Sequence, residues 1–244
     1  MTAESKQDSQ HSEFRQYLPD LSTPRFTTIA QNDARGHARE LKEKQAPPWL
    51  YGLYTHWRKL FQEPFKGITN DGVVRPDLFK LRDEGVPIER IVAAAQRVVD
   101  HLTPEQISQT LLHIDSPEWR TWSNPEFLLS EKGIRLDEIT PLLRDAVLTV
   151  LKETLSPEGY EKAIGAMRIN HFLGELVNAP AVMNEHSYNF VFFGAEPSTT
   201  RPWGFSFYGH HFAEPNVIDA GPYKGTRILD VEERLGVAAH AVPR

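Results

Sequence analysis

Two histidines stand side by side at the end of an aromatic run, WGFSFYGHH, Trp203 to His211. Imidazole titrates near neutral pH and ligates metals, so the pair points to acid–base catalysis or to a divalent metal as cofactor. Strand alternation separates the two rings. Phe205, Phe207 and His211 fall on one face of a regular strand, and Ser206, Tyr208 and His210 on the other. The rings then diverge, unless Gly209 makes a bulge that re-aims one of them. His210, on the face with two hydroxyls, is the better acid–base residue. As metal ligands, His210 and His211 supply two of the three or four that a site needs. The alternative is structural: both rings bond to backbone or cap the sheet.

Two further groups could carry chemistry. In MRINHFLGELV, Arg168, His171 and Glu175 are three and four residues apart and share a helix face. His171 and Glu175 could face a metal, or the three could form a solvated ion cluster. In NEHSY, Glu185 and His186 stand at a helix-to-strand junction, where a rigid scaffold can present polar groups. The expected catalytic set is His210, Glu175, Arg168 and Glu185. Ser198, Thr199 and Arg201 form a weaker anion-binding pattern. There is no HExxH, no GxGxxG and no GxSxG, which removes the zinc-protease, dinucleotide and nucleophile-elbow readings.

The elements that must position these residues are helices first and strands last. Residues 1–40 are polar and read as a disordered arm, with room for a short contact around Phe26 to Ile29. A helix starts at Pro47-Pro48, with Trp49, Leu50, Leu53, Tyr54, Trp57, Leu60 and Phe61 as an apolar stripe. ITNDGVV, Ile68 to Val74, is a tight-turn signal. A helix over 87–102 buries Ile88, Ile91, Val92, Ala95, Val98 and Val99. Thr103-Pro104-Glu105, Ser116-Pro117-Glu118 and Ser156-Pro157-Glu158 each offer a hydroxyl cap, a proline at the first helical position and an acid. Leu136 to Leu155 and 157–178 are further amphipathic helices. YNFVFFGA, Tyr188 to Ala195, and WGFSFYGHH read as strands. This order predicts an α+β fold, with a helical layer on a small, antiparallel and incomplete C-terminal sheet, as one domain over 41–244.

The chain has 244 residues, 40% hydrophobic and 25% charged, with a net charge of −6 and no cysteine. Cysteine chemistry and disulfides are excluded. With no basic cluster, nucleic acid is not an expected partner. No apolar run approaches the roughly 20 residues of a membrane span, so the expected setting is cytoplasmic and no membrane partner is expected.

The segments ITNDG, SPEWRTW, GAMRIN…LGEL, PSTTRPWGF and GHH together resemble the uncharacterised bacterial and fungal proteins catalogued as domain of unknown function 3500. The resemblance runs from about Trp49 to Gly236. It implies family features at Arg168, Asn170, Gly174, Glu175, Pro202 to Gly204 and Gly209 to His211, and an acid at Glu185. It assigns no activity. In relatives another apolar strand follows GHH, and the chain continues to a His-x-His segment. Here Phe212 runs straight into Ala213-Glu214-Pro215, which implies a shortened member with half a site. Its tail, 213–244, is then loosely packed, and its open sheet edge beside FVFF and FSFY invites self-association. The functional expectation is a small-molecule enzyme using GHH for metal-assisted or acid–base hydrolysis or oxidation. The alternatives are a non-catalytic binding or structural protein, or an inactive shortened member.

Overall fold

In a computed structural model the described residues are 19–63, 73, 86–194, 196–219 and 225–228. The α+β expectation holds: a helical layer packs on a small sheet. Ile68 to Val74 lies outside the described residues except for Val73, as do residues 1–18 and 229–244.

Helices α1 (Pro24–Thr27), α2 (Ala34–Lys44) and α3 (Pro48–Gln62) come first, followed by α4 (Ile88–His101) and α5 (Pro104–Thr110). Strands β1 (Leu111–Leu112) and β2 (Ile134–Arg135) flank a long irregular segment. Helices α6 (Pro141–Thr154) and α7 (Pro157–Leu176) then lead to β3 (Tyr188–Phe193), β4 (Trp203–Gly209), β5 (Phe212–Asp219) and β6 (Gly225–Ile228).

The hydroxyl-proline starts work as read at two of their three positions. Thr103 closes a capping box with Gln106, and Ser156 accepts from the Gly159 backbone N–H. Ser116-Pro117 opens only a single 3-10 turn, Pro117–Arg120. There Ser116 turns its hydroxyl to Glu118 instead of to the backbone.

The sheet order is β1-β3-β4-β5-β6, with β2 beside β3. It is mixed rather than antiparallel, because β1 runs parallel to β3. Phe190, Phe192, Trp203, Phe205 and Phe207 bury one sheet face against Ile91, Val98, Val147 and Val150 of α4 and α6 and Met167 of α7. Each large apolar side chain so buried is worth roughly 1.5–3 kcal/mol, which fixes the strand register. The opposite face is also covered, as Trp119 stacks on Phe193 with centroids 3.6 Å apart.

One expectation about the end of the chain is corrected. Residues 212–219, straight after GHH, form a strand that pairs with β4. Neither β3 nor β4 is therefore an edge; among the described residues the strand order ends in β1 and β6. Of the tail expected to be loose from residue 213, residues 213–219 pair in β5 and residues 225–228 in β6.

The arm expected to be disordered to residue 40 is helical before that point. Asp33 caps α2 by accepting from the Gly36 N–H at 2.6 Å. Ala34, Ala38 and Leu41 are buried together with Leu50, Phe127 and Leu128. The stripe escapes notice in the sequence because two of its three members are alanines. Arg35 adds ion pairs to Glu131 at 2.5 Å and Glu138 at 2.7 Å.

Candidate functional site

β4 ends at Gly209, and Gly209 pairs with Phe212, so His210 and His211 alone form the turn into β5. The strand alternation that would separate the rings does not reach them. Their centroids are 4.0 Å apart at an interplanar angle of 31°, so the rings lie in face contact. Ring-nitrogen lone pairs lie in the ring plane, so face contact does not aim the two rings at one metal ion. No bulge is needed at Gly209; a close approach fixes its identity instead. A Cβ there would stand 2.5 Å from Tyr188 Cδ1 and 3.0 Å from the Ser187 carbonyl oxygen. His211 takes the left-handed conformation, with φ 56°. Its backbone N–H donates to the Asn124 carbonyl at 2.9 Å.

His210 turns inward. Its Nδ1 lies 3.0 Å from Asn170 Oδ1. The Asn170 amide cannot be flipped, because Nδ2 donates to the Asn184 carbonyl at 2.9 Å and to Ser187 Oγ at 2.8 Å. An amide oxygen facing His210 makes Nδ1 the donor. In the neutral ring, Nε2 therefore carries the lone pair. Burial first, and His211 second, push the His210 pKa below its usual value, against an upward pull from Glu126. The ring is thus in its basic form at neutral pH.

The partner of Nε2 is Glu126, from the irregular segment between β1 and β2. Glu126 Oε2 is 4.0 Å from His210 Nε2, and Oε1 is 3.4 Å from His37 Nε2 on α2. One carboxylate therefore stands between two imidazoles. His37 Nε2 is buried and makes no well-aligned hydrogen bond. Burial works to raise the Glu126 pKa, but the contact with His37, its own backbone N–H and the electrostatic interactions with His37 and His210 outweigh it. The net position is below the usual value.

Glu126 also lies between two spaces. Behind it, a cavity of about 10 Å³ is lined by Ser123, Arg135, Ser187, Asn189 and His210. That is about the volume one water occupies, and the lining offers polar partners. In front, a groove of about 460 Å³ is lined by His37, Leu41, Pro47, Trp49 and Leu50.

The support behind the site is polar and satisfied. Buried Arg135 donates to Asp137 through Nε at 2.7 Å and Nη2 at 3.0 Å, and to the Val182 carbonyl at 2.9 Å. Asn184 Nδ2 donates to the same Asp137 at 2.8 Å. The Asn184 carbonyl accepts from Asn170, so the network runs from Arg135 to His210.

The other sequence candidates lie elsewhere. Arg168 pairs with Glu185 at 3.7 Å, with the arginine 72% exposed. Glu175 pairs with His171 at 3.5 Å on the outer face of α7. Neither pair includes His210. Among these neighbours α7 sends Asn170 to His210. Ser198 stiffens its loop by accepting from the Thr200 and Arg201 N–H groups. Among the described residues, no group of three or more His, Asp or Glu side chains is placed to hold a metal ion.

Sequence reasoning missed His37 and Glu126. His37 stood in the supposed disordered arm, and Glu126 carries no motif. Asn170 entered only through the resemblance.

Among the described residues no helix is long and apolar enough to cross a membrane. A family model described as "Protein of unknown function (DUF3500)" matches residues 84–213. No curated protein and no solved structure matches the chain.

Proposed function

The chain belongs to the DUF3500 family of proteins of unknown function, and for it we propose metal-free acid–base hydrolysis of a small carbonyl compound. The observation that carries this reading is the position of Glu126, between two imidazoles and between a groove and a water-sized cavity. Oε2 and the His210 lone pair are two acceptors 4.0 Å apart. A water donating to both fits such a gap.

The proposed step is balanced as follows. His210 Nε2, on the cavity side, takes a proton as the water oxygen bonds to a substrate carbonyl carbon that reaches past Glu126 from the groove. The bond to the leaving oxygen breaks, and that oxygen takes the proton back from His210. Glu126 stabilises the transient imidazolium, and Asn170 holds the ring by its Nδ1–H. A positioned base of this kind contributes typically 10²–10⁴-fold. Arg168, Glu175 and Glu185 have no part in this step.

The test is hydrolysis of small neutral esters by the purified chain, beside Glu126→Gln and His210→Gln. The wild-type rate should exceed buffer, and each variant should lose about 10²-fold. Equal rates in folded wild type and Glu126→Gln would sink the reading. If both histidine and glutamate variants instead lose only stability, the site is a structural staple.

A further inference from the structure

We infer that the groove selects an apolar substrate arm over an anionic one, and that residues outside the family match build this selectivity. The floor of the groove, Glu126, falls within the matched region 84–213. Its walls do not: Pro24, Ile29, Leu41, Pro47, Trp49 and Leu50 all precede that region. The site and its specificity thus come from different parts of the chain.

The chemistry of the walls fixes the class of arm. Volume is the first constraint, as 460 Å³ suits a small molecule rather than a protein segment. Charge is the second. The two ionic groups on the wall, Glu40 and Lys44, pair with each other. Glu40 also accepts from Asn32 at 2.6 Å. That pair leaves neither of its own charges over for a charged arm. An anionic arm would moreover meet the Glu126 carboxylate, which is held ionised. Trp49 is the third constraint. It is 60% exposed although large and apolar, and it lines this groove. An apolar arm lying along it removes that surface from water on both partners.

The inference rests on the hydrolytic reading for what happens at Glu126, but the occupancy of the groove can be measured without turnover. Methyl ketones with propyl, pentyl and heptyl chains have the shape of ester substrates and cannot be hydrolysed. Calorimetry with the full chain should show tightening of roughly fourfold per added methylene. Octanoate, with its negative charge, should bind more weakly than the heptyl ketone. Trp49→Ala should weaken the heptyl ketone about tenfold or more with an unchanged melting curve. Affinity that ignores chain length, or that is unchanged in Trp49→Ala, would overturn the inference. So would tighter binding of octanoate. Ketone binding without any ester hydrolysis leaves this inference standing and removes the hydrolytic reading. Hydrolysis indifferent to chain length does the reverse.

Discussion

Asn170 Oδ1 accepts the Nδ1 proton of His210 at 3.0 Å, across 40 residues of sequence. The same amide donates to the Asn184 carbonyl and to Ser187 Oγ. One side chain on α7 thus sets the tautomer of a hairpin-tip imidazole and ties the tip to the 184–187 turn. The contact leaves Nε2 as a base directed at Glu126.

Asn170→Asp separates positioning from simple stability. The carboxylate still accepts from His210 Nδ1, and its negative charge should raise the His210 pKa. The two hydrogen bonds that Asn170 donates are lost, at about 1–3 kcal/mol for the groups left unpaired. Histidine titration by NMR should show the His210 midpoint move up, while Asn170→Ala leaves it without this rise. A merely structural role would lower the melting temperature in both variants and leave the midpoint alone.

Stability should fall on mild acidification. Burial pushes the pKa of His210 down, and burial with Arg144 does the same for His186 against Glu185, Asp137 and Asp145. A histidine whose folded pKa is depressed contributes stability that is fully present above its unfolded pKa. That stability is lost as pH falls from about 6.5 toward the folded value, because the unfolded chain binds the proton first. Glu126 acts lower on the scale. Its depressed pKa contributes stability above about 4.5 that is lost as pH falls through its folded value. Melting temperatures between pH 7 and pH 5 should fall in the wild type and fall less in His210→Gln. An equal slope in the two would remove His210 as the titrating group.

Two glycines hold surfaces together where no side chain fits. A Cβ on Gly174 would stand 1.8 Å from the Met183 carbonyl oxygen, which forces backbone apart. At Gly209 the nearest atom is Tyr188 Cδ1 at 2.5 Å, a ring edge that can move only within the stacked aromatic layer. Overpacking costs about 1–3 kcal/mol. Gly174→Ala should therefore destabilise more than Gly209→Ala by thermal melting. Gly209→Ala should also disturb His210, visible as a changed imidazole resonance.

Legibility in the sequence followed length of pattern. The α4, α6 and α7 periodicities and the two aromatic strands are long and self-consistent, so their burial was readable. Face assignment along β4 was also sound through Tyr208. It failed at His210 only because Phe212 starts an antiparallel partner, and Phe212-Ala213-Glu214-Pro215 with its proline does not read as a strand. The site itself was half legible. His210 stands out by composition and Asn170 by resemblance. Glu126 sits in an irregular segment where no period marks it, and its role comes from tertiary contacts. His37 is positioned by an alanine stripe too faint to signal a buried helix.

His211 provides the sharpest separation of the two adjacent rings. Its φ of 56° is a left-handed backbone that costs a non-glycine residue of order 1 kcal/mol, and asparagine tolerates it better than most. The backbone N–H that holds Asn124 survives substitution. His211→Asn should therefore keep the fold and raise the melting temperature slightly. It also removes the neighbouring imidazole whose interaction helps hold the His210 pKa down, so the His210 midpoint should rise. Ester hydrolysis should persist, with its acid limb moved to higher pH. Loss of activity as deep as in His210→Gln would mean that both imidazoles act in the reaction.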